Sequence, residues 1–415
     1  MTLSQSPPSE AVGAARIRSR VEAEAYVASV CFKHGPPALA GVELEWTVHH
    51  RADPRRPLDL RELASALGAH APTTLVPDSP HLPLPSGSAV TVEPGGQVEI
   101  SCLPQRSPRR LVEIVDGDIA LLVDLLGSRD LRLGTRGIDP WRYPTRLLHT
   151  PRYDAMERAF DRIGPGGKTM MCNTAGLQVC LDAGEVEQAP LRWSALHALG
   201  PVFIAAFANS RQAEGVAGSW ASARMRSLFA TDPIRVRPGR PDGDPAAAWA
   251  RRTLDTPAIC VRRADGPWDV AVPVRFADWI AGSLAPPPSL DDLDYHLTTL
   301  FPPVRPRGYL EVRYLDTQAG QAWVVPALLL IALFARPETV ARAAELAAPV
   351  ARRWVPAARD GLADPPLARA VPKLLDLGCA ALSGLDLPAD LLAEIVEVAQ
   401  RRAVGAALDF GEDGA

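Results

Sequence analysis

The sequence predicts an α+β fold built on an antiparallel sheet, and three observations support this. Short segments of apolar–polar alternation, the pattern of half-buried strands, are interspersed with helical patterns through the first three quarters of the chain. From Gln321 onward the pattern is helical throughout. Elements segregated in this way favour an antiparallel sheet over a doubly wound parallel one. Consistent with that, neither GxGxxG nor GxxxxGK(S/T) follows a strand, so the common nucleotide-binding loops are absent.

In order along the chain, residues 1–13 read as a disordered leader, and 14–410 as a single domain whose C-terminal part, from about 321, is helical. Residues 14–32 read as an amphipathic helix, with Ile17, Val21, Val27 and Val30 near helical spacing. Residues 41–49 (GVELEWTVH) alternate as a strand does. Residues 89–102 form two short strands around the turn Pro94-Gly95-Gly96. A strongly apolar helix is expected over 111–126, a strand over 169–181 and a buried helix over 194–209. Residues 237–247 and 285–291 are Pro- and Gly-rich loops, and 309–315 (YLEVRYL) is a strand ending at Asp316. Helices then follow over 326–336, 339–353, 366–383 and 389–408, before a short acidic tail.

Charge and composition narrow the function. Across 415 residues, 44 Lys and Arg oppose 48 Asp and Glu, a net charge of -4, which leaves no basic footprint for nucleic acid. The longest apolar run, 323–335, is shorter than the ~20 residues a bilayer span takes. No apolar signal core opens the chain, so a cytoplasmic protein with free thiols is expected. The six cysteines form no CxxC pair, which gives no zinc or disulfide signature. Nothing in the sequence signals an obligate protein partner.

Acidic residues inside apolar strands carry the chemistry. Glu43 and Glu45 are two apart and project from one face of their strand, as do Glu311 and Arg313 of theirs. Glu93 and Glu99 flank the PGGQ turn, with Gln97 on the same alternation as Glu99. Glutamate is disfavoured in strands and costly to bury unpaired. Solvated faces, or pairing with arginine, would account for any one pair of these. Three separate segments of this kind imply a cation among them. Converging carboxylates without Cys or His suit Mg²⁺ or Mn²⁺, commonly shared with phosphates. Residue types and spacing alone thus indicate a metal-dependent phosphoryl-transfer enzyme.

The same segments resemble the motifs of the glutamate–cysteine ligases of the plant and bacterial type, in the glutamine-synthetase superfamily. GVELEW is similar to the family's opening GxExE strand, and TVEPGGQVEIS to its EPGGQxExS element. ANSRQAEGVAGSWASARMRSLFATDPIR resembles the segment ANSP…EG…S-x-R…D-x-x-R, supplying Asn209, Ser210, Glu214, Gly215, Ser222, Arg224, Asp232 and Arg235. VPVRFADWIAG and HLTTLFPPVRPRGYLEVRYLD complete the set, in the family's order from about residue 41 to 326. Two positions depart from the pattern: the proline after ANS is Arg211, and the tryptophan between Arg224 and Asp232 is Leu228. The arginine-rich, lysine-poor style is similar to the actinobacterial branch that serves ergothioneine synthesis.

This resemblance implies a curved antiparallel sheet forming a funnel, with ATP, two or three Mg²⁺ and glutamate inside. Glu43, Glu45, Glu93, Glu99 and Glu311 are then metal-ligand candidates, and Arg313 contacts the transferring phosphoryl group. Glu311 and Arg313 form the catalytic pair. Arg224 and Arg235 are candidates for substrate carboxylates, with Gln178 and Thr174 lining one strand face as further substrate contacts. The implied reaction joins the γ-carboxyl of glutamate to cysteine through γ-glutamyl phosphate. A ligase using another amine, or a non-catalytic binding protein on the same fold, is the alternative.

Other features have plainer readings. The eight histidines are scattered, and His296 is expected to make a structural hydrogen bond. Cys172 and Cys180 read as small core residues, and the 341–353 segment with Arg342, Arg352 and Arg353 as a solvated face. GPGGK at 164–168 lacks P-loop spacing and reads as a turn, with Lys168 within reach of a nucleotide phosphate.

Overall fold

The computed structural model describes residues 16–213, 216–239 and 243–405, so the leader, Glu214, Gly215 and the acidic tail lie outside the described residues. Its strands are β1 (Ala40–Trp46), β2 (Val48–His50), β3 (Ala89–Val92), β4 (Val98–Ser101), β5 (Leu131–Leu133) and β6 (Gly176–Leu181). β7 (Gln212–Ala213), β8 (Val216–Ala217), β9 (Val304–Pro306) and β10 (Leu310–Asp316) follow. Six of them form one sheet in the order β3-β4-β1-β6-β10-β9, and every neighbouring pair is antiparallel.

The pleat sorts the strand residues between two faces. Val42, Leu44 and Trp46 of β1, Leu177, Val179 and Leu181 of β6, and Leu310, Val312 and Tyr314 of β10 are almost fully buried. The Ala189–Phe207 helix packs on β10, Pro108–Gly127 on β1 and Val324–Leu333 on β6. Tyr314 meets Trp354 edge-on beyond the sheet, and a Cβ at Gly200 would strike that indole at 2.1 Å, so glycine there admits the Trp354–Asp360 helix. The alternate residues Glu43, Glu45, Glu311 and Arg313 project to the other face.

Local chemistry sets the helix starts. Ser19, Ser107, Thr150 and Ser222 accept hydrogen bonds from their helices' first free N–H groups, and Ser289 with Asp292 forms a capping box. Ser19 therefore starts the first helix at Arg20, later than residue 14. β1 and β2 are separate strands because Thr47 O leaves the main sheet to accept from Gly134 N at 2.7 Å.

One expected strand is partly wrong. Residues 166–173 are a helix (Gly166–Asn173), and β6 starts only at Gly176. Thr169 Oγ1 and Thr174 Oγ1 each donate to the carbonyl four residues back, at 3.3 and 2.7 Å, a bonding pattern that a strand does not offer. The GPGGK segment opens this helix and is not a turn. Gly166 and Gly167 are spacers: a Cβ on them would meet Ala230 at 2.6 Å and Phe160 at 2.2 Å. Helices Leu60–Leu67, Pro151–Asp161, Ala223–Phe229, Pro245–Asp255, Leu290–Leu297 and Trp354–Asp360 are additional to the sequence reading.

Candidate active site

The polar face of the sheet floors a cavity of about 240 Å³. Glu45 stands directly across from Glu99, Glu99 from Thr91, and Glu43 from Gln178. Glu93 joins them from the turn before β4, whose Gly95 packs so closely that a Cβ would lie 1.9 Å from Cys172 O. Gln97 anchors that turn by donating to Met171 O and Thr174 O at 3.3 and 3.0 Å, while accepting from Gly95 N. Glu45 accepts from Gly176 N at 2.7 Å and Gln178 Nε2 at 3.1 Å, and Glu99 from Thr91 Oγ1 at 2.8 Å.

Burial and the neighbouring carboxylates push Glu43, Glu93 and Glu99 up. The Glu93 carboxyl moves from 4.5 to about 7, chiefly through desolvation and next through Glu45. Glu43 and Glu99 also rise, again through burial first and neighbouring carboxylates second. A cluster of acids that disfavours its own ionisation fits a hard cation, since the donors are all oxygen. Glu43, Glu45, Glu93 and Glu99 are the residues that would hold it.

Glu311 behaves differently. It is fully buried, receives Arg305 on both oxygens at 2.6 and 3.2 Å, and has Arg313 at 3.0 Å and Arg307 at 3.5 Å. Burial opposes its ionisation, but the three guanidiniums prevail and hold its carboxyl far below the usual range. It does not line the cavity, and its nearest charges are arginines that it organises, yet one of its oxygens lies within 4.8 Å of a Glu43 oxygen, so it stays among the residues that could hold a metal. Arg313, gripped by Glu311 and Gln178 Oε1, is thereby aimed across the cavity floor.

Arg224 reaches the cavity from the Ala223–Phe229 helix, donating to Arg313 O at 2.9 Å. Its motif converges on one buried carboxylate. Asp316 accepts from Asn209 N at 2.8 Å, Ser210 Oγ at 2.7 Å and Ser222 Oγ at 2.8 Å, with Arg224 Nη1 at 4.0 Å. The spacing of ANS and S-x-R is thus the spacing of groups around Asp316.

Thr174 and Gln178 line the cavity, although Thr174 sits at the end of a helix and not on the strand face of Gln178. Two expected residues are elsewhere. Arg235 is buried against Thr299, Pro257 and Asp232, because its guanidinium ties separate loops together. Lys168 pairs with Glu157 at 3.0 Å on the outer side of its helix. Cys180 is not a plain core residue: its thiol and carboxylate oxygens of Glu43 and Glu311 lie within 4.8 Å of one another. His296 does make a structural bond, to Thr253 O at 2.9 Å, and burial lowers it to about 3.

Arg305 and Arg307 also line the cavity; both lie in the PPVRPRGYLEVR segment, whose strand pattern alone does not mark them, and Arg305 stands opposite Glu311. Arg152, donating to Thr298 Oγ1 at 2.9 Å, carried no sequence signal. A second cavity, about 360 Å³ and bordered by Arg55, Trp141 and Asn173, shares Gln97 with the first but none of its glutamates.

Comparison with known proteins identifies the family. The family model described as "Glutamate-cysteine ligase family 2 (GCS2)" matches residues 39–377. "Glutamate--cysteine ligase EgtA" of Mycolicibacterium smegmatis is 38% identical over 384 residues, covering 90% of this chain and 86% of that one. Its namesake in Mycobacterium tuberculosis is 36% identical over 398 residues, covering 93% and 88%. A chloroplastic glutamate–cysteine ligase of Arabidopsis thaliana is more distant, at 29% over 342 residues and 78% and 64% coverage. The crystal structure of a glutamate–cysteine ligase from Francisella tularensis, in complex with AMP, shares the fold with a TM-score of 0.53 at 14% identity, covering 90% of this chain and 83% of that one. The chain belongs to glutamate-cysteine ligase family 2.

Proposed function

We propose that this chain is an ATP-dependent glutamate–cysteine ligase, and that its γ-glutamylcysteine serves ergothioneine biosynthesis in the cytoplasm. It takes small-molecule substrates only: ATP, glutamate and cysteine. The observation that carries this reading is the cavity lining, where Glu43, Glu45, Glu93 and Glu99 oppose Arg152, Arg224, Arg305, Arg307 and Arg313. Such a site handles phosphates and carboxylates together.

A carboxylate is a poor acyl donor, so activation precedes amide formation. A γ-carboxylate oxygen of glutamate attacks the γ-phosphorus of ATP, and ADP leaves. The amine of cysteine then attacks the acyl carbon, loses a proton, and phosphate departs with the shared oxygen. Phosphoryl transfer asks mainly for positioning and charge neutralisation. Arg313, held by Glu311 and Gln178, faces the transferring group. Arg305 and Arg307 extend the positive surface for the remaining phosphates, and Arg224 takes an amino-acid carboxylate. Mg²⁺, or Mn²⁺ in its place, held by the four cavity glutamates would neutralise phosphate oxygens.

The test uses glutamate labelled with ¹⁸O in its γ-carboxylate, supplied with ATP and each amino acid in turn. The reading expects ADP, γ-glutamylcysteine and ¹⁸O in the released phosphate. AMP and pyrophosphate would indicate an acyl-adenylate instead. Peptide formation without label transfer would reject the acyl phosphate, and ATP cleavage with an acceptor other than cysteine would reassign the amine.

A further inference from the structure

The cavity has two unlike ends, and one of them carries an apolar wall beside its charged groups. β1 and β10 are both antiparallel to β6, so Glu43, Cys180 and Glu311 lie toward one edge, while Glu45, Gly176 and Asp316 lie toward the other. Arg305 and Arg307 belong to the first end through their contacts with Glu311. Arg224 belongs to the second: a Cβ on Gly176 would stand 2.3 Å from its Nη2.

Leu228 lies one turn beyond Arg224 on the same helix and therefore on the same face. That helix packs against Gly166–Asn173, which carries Met170 and Met171, and this in turn packs on Pro151–Asp161, which carries Met156. The two glycine spacers allow this close approach. Phe301 completes the wall, and all five side chains line the cavity. Met156, Met171, Leu228 and Phe301 are each at most 9% exposed, so the wall is held firmly by its own packing.

The ligands can be sorted by charge. ATP phosphates match the Arg313, Arg305 and Arg307 end, which draws the adenine that follows them away from Arg224. Glutamate is charged at both ends of its chain. Only the acceptor brings an uncharged side chain to the Arg224 end. We propose that Met156, Met170, Met171, Leu228 and Phe301 form the side-chain pocket for the acceptor amino acid, with Leu228 setting its depth. The pocket selects a small, uncharged, polarisable group such as CH₂SH, for which thioether neighbours are suited. This assignment rests on the ligase reading above.

The experiment is steady-state kinetics of wild type, Leu228→Ala and Leu228→Phe with cysteine, 2-aminobutyrate and norvaline as acceptors. One methylene in such a pocket discriminates roughly tenfold or more. Leu228→Ala should therefore move the norvaline-to-cysteine ratio of kcat/KM upward by about that factor. Leu228→Phe should raise the cysteine KM by a similar factor and leave the ATP and glutamate KM values within about twofold. Should the Phe variant not fold, Met170→Ala is expected to act as Leu228→Ala does. An unchanged acceptor ratio in the Ala variants, or a change confined to the ATP or glutamate KM, overturns the pocket while wild-type synthesis of γ-glutamylcysteine leaves the ligase reading intact. A wild type that makes no γ-glutamyl peptide overturns both.

Discussion

Glu45 and Glu99 face each other directly across the β1–β4 pair, two carboxylates in register on the floor of one cavity. Like charges in that relationship destabilise a sheet, so the site is built against the stability of the metal-free protein. Replacing Glu99 by Gln keeps the Thr91 hydrogen bond and removes the repulsion. The metal-free variant should melt higher, by about 2 °C, and lose turnover by more than about a hundredfold. Scanning calorimetry and ADP release check the two halves, and a variant that melts lower yet stays active would contradict both.

The Glu93 carboxyl gives this conflict a pH dependence. Its folded value of about 7 exceeds the ordinary 4.5, so between these limits the native state binds the proton that the unfolded state has lost. Its contribution to stability is present below about 4.5 and declines as pH rises through about 7. The difference in melting temperature between Glu93→Gln and wild type should therefore grow from pH 5 to pH 8, in the variant's favour. Cation binding must displace the same proton, so calorimetric Mg²⁺ affinity should weaken as pH falls below about 7.

Arg224 and Gly176 should share a phenotype. Lysine cannot reproduce a guanidinium fork, and alanine at 176 would displace the fork that is there. Arg224→Lys and Gly176→Ala are each expected to raise the KM of an amino-acid substrate about tenfold or more, with the ATP KM little changed. Movement of the ATP value alone would transfer Arg224 to the nucleotide.

Arg235 should behave oppositely. Its bonds go to Thr299, Pro257 and Asp232, and it does not line the cavity. Arg235→Lys should lower unfolding stability by roughly 2 kcal/mol in denaturant titration, while the folded enzyme keeps its KM values. A selective rise in one substrate KM would restore it to the site.

Cys180 lies beside Glu43 and Glu311, and burial first, then these carboxylates, raise its thiol well above the ordinary range. A thiol so suppressed is a poor nucleophile. Cys180→Ser should keep activity within about tenfold, equivalent to ~1.4 kcal/mol in the barrier, and alkylation by iodoacetamide should be slow at pH 7.

Several of these features could be read directly from the chain. Alternation determined that Glu43 and Glu45 share a face, as do Glu311 and Arg313, because a strand's side-chain period is two wherever the strand ends up. The same local rule placed the 89–102 hairpin and the end of β10 at Asp316. Local patterning failed at 166–173, where glycines needed by Phe160 and Ala230 look like a turn, and at Leu228, whose place in the wall depends on a helix from elsewhere in the chain.

The roles of the charges were decided only by the tertiary structure. Glu43 and Glu311 both sit on apolar strands, and in the sequence they look alike. The same three arginines lie near both, but they bond Glu311 directly and hold it ionised, while burial first and then Glu311 itself press Glu43 toward neutrality. Arg224 and Arg235 sit eleven residues apart in one motif, yet one lines the cavity and the other ties separate loops together. The sequence by itself determined which groups exist and which face of a strand they take. What each group does depends on long-range partners and on the dielectric around it, and both arise only when distant segments pack together.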